Sequence, residues 1–84
     1  MQLPTIHLNG TSKVNLIESL EEASFAIDNA YQALKETAPN GRDYYPQGPQ
    51  AFTAADQEHV ARLRKLDEVK EEIDALTVAI DRIS

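Results

Sequence analysis

The chain has 84 residues, no cysteine, and a formal charge of −6 from 14 acidic and 8 basic side chains. Disulfides and thiolate zinc sites are excluded, and non-specific binding to a nucleic-acid backbone is disfavoured because it needs a basic surface. Apolar residues make up 42 %, but alanine alone fills 11 positions, so the expected core is built from small side chains. No apolar run approaches the roughly 18 residues of a membrane span. Residues 1–10 lack the basic start and long apolar stretch of a secretory signal. The expectation is one soluble cytoplasmic domain over 1–84.

At the start of the chain, Thr5-Ile6-His7-Leu8 alternates like a short strand. Residues 1–10 are therefore expected to be extended, packing on a neighbour or pairing with the same segment of another protomer. Asn9-Gly10 is a turn signal and Thr11 or Ser12 a good N-cap, which predicts a first helix over 11–38. Pro39 and Asn40-Gly41 stop it. Leu16, Leu20, Ala23, Ile27, Ala30 and Leu34 recur at helical spacing and predict a seam whose small residues admit a close partner helix. Val14 and Phe25 fall on the opposite side, among Glu18, Glu21 and Gln32, and hint at a second contact surface.

Residues 39–52 hold three of the four prolines and two of the three glycines and are expected to form a loop. Thr53 with Asp56 resembles a capping box and opens a second helix over 53–83. Its predicted seam is Leu63, Leu66, Val69, Ile73, Leu76, Ile80 and Ile83. Glu58–Arg62 and Lys70–Asp74 are opposite charges at i,i+4 on a largely solvated face. The fold class is thus all-α, an antiparallel two-helix hairpin with a long connector. One buried stripe per helix is marginal for a domain of this size. Self-association into a helical bundle, as a dimer or a closed ring, is expected through Val14, Ile17, Phe25, Tyr31 and Val78.

Candidate chemistry gathers in the connector, which is longer than a hairpin requires. Arg42 offers a planar fork for phosphate or carboxylate, with Asp43 beside it. Tyr44 and Tyr45 offer rings for stacking and hydroxyls for hydrogen bonds, or else one of them covers the open end of the seam. Continuing the second seam toward its N-terminus brings His59 and Arg62 to the inward side, opposite Tyr31, Leu34 and Lys35. Arg62 either faces a ligand or reaches out to Glu58 or Asp43, and His59 either binds or caps the core. Thr11, Ser12 and Lys13, at the start of the first helix, suit an anion and equally suit ordinary capping. A neighbour's copy of that segment can complete a site in an oligomer. Catalysis is not expected: Asp56-x-x-His59 has the i,i+3 spacing of one half of a di-metal carboxylate site, but the first seam carries no inward carboxylate to complete it. No cofactor or metal is expected.

The run Ile6-His7-Leu8-Asn9-Gly10-Thr11-Ser12, then Pro39-Asn40-Gly41-Arg42-Asp43-Tyr44-Tyr45-Pro46, then Glu58-His59 and Arg62, resembles small helical-hairpin proteins encoded by bacteriophages, mostly without assigned function. The likeness extends broadly, at the level of architecture, to phage counter-defence proteins that sequester signalling nucleotides. It implies a non-catalytic homo-oligomer in the host cytoplasm but does not fix the ligand; the oversized connector and the seam cations point to a small anionic one, of cyclic or ADP-ribose type. On that reading Arg42 and Arg62 hold phosphate, Tyr44 and Tyr45 stack, and His59 donates a hydrogen bond. The alternative is an acidic helical module that contacts a host protein or joins a phage assembly. A bare structural hairpin is the third reading.

Overall fold

The computed structural model describes residues 1–83. Helix α1 spans Lys13–Lys35, a one-turn helix α2 spans Gly41–Tyr44, a 3-10 turn covers Tyr45–Gln47, and helix α3 spans Pro49–Asp81. There is no strand among the described residues, so the alternation at Thr5–Leu8 does not make one. Instead, the Gly10 N–H donates to the His7 carbonyl at 3.1 Å in a turn. A Cβ at Gly10 would sit 2.8 Å from His7 Nε2, so a side chain there would displace the exposed imidazole.

Each helix starts where the local chemistry allows. The Ser12 hydroxyl accepts from the Asn15 N–H at 3.1 Å and caps α1. After Lys35 the Thr37 hydroxyl donates back to the Leu34 carbonyl at 2.7 Å, closing the last turn. Asn40 acts as a cap as well as a stop, because its Oδ1 accepts from the Arg42 N–H at 2.9 Å and starts α2. The expected loop is therefore partly helical. Gly48 at φ +103° turns the chain, and Pro49 takes the first position of α3. Helix α3 thus begins four residues before Thr53, which lies inside the helix and is not its cap.

Two hydrogen bonds fix the pairing of the long helices. Lys13 Nζ donates to the Ile83 carbonyl at 2.7 Å, and Ser24 Oγ donates to Asp74 Oδ1 at 2.6 Å. As α1 advances from 13 to 24, its partner position falls back from 83 to 74, so the helices run antiparallel. The result is a rod of 62 × 20 × 17 Å with a radius of gyration of 18.8 Å, against about 12 Å for a compact domain of this length.

Both seams are rolled relative to the sequence expectation, with Leu16, Leu76 and Ile83 of the expected seams left half-buried at the border. On α1 the protected row is Lys13, Ile17, Leu20, Ser24, Ile27, Tyr31 and Leu34, while Ala23 and Ala30 are exposed. On α3 the row is His59, Leu63, Leu66, Lys70, Ile73, Thr77 and Ile80, while Val69 is exposed. Both rows step by alternating four and three residues, the a and d positions of a heptad. Ile17 and Tyr31, expected at an outer interface, belong to this intrachain seam. Ile80 is the most buried side chain, at 2 % exposure. Ile80→Ala should cost about 2–4 kcal/mol, whereas Val14→Ala, at an exposed position, should cost less than about 0.5 kcal/mol. Urea midpoints with an unchanged slope are the measurement.

Candidate functional site

The heptad rows divide the rod into two flanks. The e positions that border the seam on one side are Val14, Glu21, Asp28 and Lys35 on α1, and Val60, Asp67, Asp74 and Asp81 on α3. The g positions on the other side are Leu16, Ala23 and Ala30 on α1, and Arg62, Val69, Leu76 and Ile83 on α3. In an antiparallel pair the e rows lie side by side, and so do the g rows. One flank is therefore acidic and the other largely apolar.

The acidic flank holds an open cleft of about 490 Å³ between the helices, lined by Glu21, Ser24, Phe25, Asp28, Lys70, Asp74, Thr77 and Val78. A shallower hollow of about 340 Å³ adjoins it, formed by Glu18, Glu21, Glu22 and Phe25. Phe25 stands between the two and is 69 % exposed, and Val78 faces the larger one, half exposed. The floor is polar. Ser24, only 8 % exposed, donates to one carboxylate oxygen of Asp74. Lys70 Nζ donates to the other at 2.8 Å, and Thr77 returns its hydroxyl proton to the Ile73 carbonyl at 2.9 Å. The bonds from Lys70 and then Ser24 hold the Asp74 carboxyl below its ordinary value of 3.8, partly opposed by desolvation. The Asp74 bond raises Lys70 above 10.5, and the charges of Asp74, Asp28 and Asp67 add to it. Lys70 is the one cation lining the cleft, and Asp74 already occupies it.

The residues expected to bind an anion do not converge on a cleft of this kind. Arg42 is exposed, and its guanidinium has no partner among the described residues. Asp43 is exposed beside it, Tyr44 is half-buried, and Tyr45 is 77 % exposed. Arg62 is exposed rather than inward and pairs with Glu58 of its own helix at 3.7 Å. The register places Arg62 level with Lys35 and places His59 beyond the end of α1. His59 is 5 % exposed, and its Nε2 has no hydrogen-bond partner among the described residues. At the far end of the rod Thr11 is exposed, Ser12 is the cap described above, and Lys13 is spent on the Ile83 carbonyl, two residues past the end of α3. A cation there complements exposed carbonyls and the helix dipole.

Sequence reasoning placed Phe25 and Val78 on an outer surface but missed Ser24, Asp28, Lys70 and Asp74 as one group. The signal was present: Lys70 and Thr77 fall in the row 59, 63, 66, 70, 73, 77, 80, which places Lys70 on the seam.

The shifts of Asp74 and Lys70 set a pH window. A carboxyl held low stabilises the fold above 3.8, and this contribution is lost as pH falls through the folded-state value. A lysine held high contributes below 10.5 and is lost as pH rises through its own folded-state value. The thermal midpoint should therefore fall between pH 4 and pH 2. In Asp74→Asn that acid-side fall should be smaller, as circular dichroism melts would show.

No family model matches the chain, and no curated protein or solved structure is similar enough to it to count as a match.

Proposed function

We propose that this chain is a non-catalytic interaction module whose acidic flank takes a basic amphipathic helical segment of another protein. The observation that carries this reading is the Phe25–Val78 cleft, an apolar anchor point rimmed by Glu21, Asp28 and Asp74. Its single lining cation is neutralised from within. An apolar side chain of a partner helix fills such a cleft while lysine or arginine at neighbouring turns meets the rim. The same rim repels a phosphate, so an anionic ligand does not suit this face.

The test uses two synthetic helices with the same leucine stripe, one carrying lysine and one glutamate on the polar face. Calorimetry should detect binding of the lysine helix alone. Phe25→Ala should weaken it about tenfold, the size of a lost anchor, and raising salt from 50 to 300 mM should weaken it further because exposed charges are screened. Equal binding of both helices, or none, would remove the proposal.

A second reading keeps a small anionic ligand, a cyclic or ADP-ribose-type nucleotide, at the connector. It is favoured by the unpaired Arg42 guanidinium and the exposed Tyr45 ring in adjoining turns. On this reading a nucleotide panel should raise the melting temperature of the native chain and fail to raise that of Arg42→Ala. No stabilisation by any nucleotide would dismiss it.

A further inference from the structure

We infer that the flank opposite the acidic cleft is the seam of a homodimer, with a second copy of this chain as its occupant. The register set by the Ser24–Asp74 and Lys13–Ile83 bonds puts the g positions of the two helices at matching heights. Leu16 lies level with Ile83, Ala23 with Leu76, and Ala30 with Val69. These three rungs are spaced by seven residues on both helices. On the same side of α1, the row behind them is Ser19, Ala26 and Ala33, and no charged residue interrupts either row from 16 to 33. Apolar residues at a and d alone describe a two-helix seam; apolar residues at a, d and g describe a helix that contacts a further layer. The hairpin satisfies the a and d rows internally and leaves the g rows only partly covered: Leu16, Leu76 and Ile83 are half-buried, Ala23 and Ala30 are exposed, and Val69 is 46 % exposed.

Area and charge choose the occupant. The chain exposes 6450 Å², whereas a compact monomer of its 9.3 kDa mass exposes about 5,000 Å². The excess covers the roughly 800 Å² per partner of a standard interface. Charge on this flank is balanced, with Arg62 and Lys65 against Glu58 and Glu72, so two chains of charge −6 can approach here while their acidic flanks point apart. A two-fold axis parallel to the helices lays α1 of one copy over α3 of the other. Ala23 and Ala30 then receive the bulk of Leu76 and Val69 from the second copy, small against large at each rung.

Sedimentation equilibrium on the full chain tests the inference independently of the acidic flank. The expected mass is twice 9.3 kDa. Ala23→Glu, an exposed helical position where the fold tolerates glutamate, should weaken the dimer by about tenfold or more because it buries an unpaired charge. Its circular dichroism should remain helical. Phe25→Ser, on the other flank, should leave the mass unchanged. A monomer at all concentrations, a larger assembly, a dimer insensitive to Ala23→Glu, or one broken by Phe25→Ser would each overturn it.

Discussion

One hydroxyl facing one carboxylate across the seam decides how this rod is assembled. Most a and d positions of α1 are aliphatic or aromatic, and such a surface packs almost equally well when its partner slides by a heptad. The Ser24–Asp74 bond forms at one offset only. A one-heptad slide would set Asp67 or Asp81 opposite Ser24 instead, and neither has a lysine one turn back (Leu63 and Thr77 stand there), so only this offset gives the buried serine a carboxylate that a lysine already neutralises. Lys70 completes the arrangement by neutralising Asp74 from within its own helix. The offset in turn sets which residues of the two flanks lie level with each other.

The same offset sorts charge. With the a and d rows facing inward, Glu21, Asp28, Asp67, Asp74 and Asp81 fall on one side. Alanine, valine and leucine fall on the other. The net charge of −6 is therefore not spread evenly over the rod. The composition does not reveal this, because it is a property of angle around the helix axis rather than of the number of acidic residues.

Much of the architecture was legible in residues. Glycine and proline marked the boundaries, the helix formers filled 11–38 and 53–83, and Thr11 or Ser12 was readable as a cap. The roll of the helices was not legible, for a physical reason. Four of the seven heptad positions of α1 are mostly apolar or small, so Leu16, Ala23 and Ala30 compete with Ile17, Ser24 and Tyr31 for the seam. Hydrophobicity favours the first set. The hydroxyl bond of Ser24 and the bulk of Tyr31 favour the second, and neither is visible without the partner helix. The start of α3 was misplaced because Thr53 and Asp56 carry a capping pattern, while the turn that begins the helix is a glycine followed by proline. The connector's composition suggested a receptor, yet Asn40 serves as a local cap and Arg62 pairs with Glu58 along its own helix.

The Lys13 ammonium, bonded to the Ile83 carbonyl, has an effect on how the rod breathes. Helix ends ordinarily fray, since their last carbonyls and first amides lack intrahelical partners. Here the first residue of α1 binds the carbonyl of Ile83, two residues past the end of α3, so fraying of either end must also break this bond. The opposite pole, where the chain reverses through short turns, has no such bond between the two long helices among the described residues. Amide exchange with deuterium should accordingly be graded along the length of the rod, slow where the lysine clasp holds and fast where Gly48 bends the backbone.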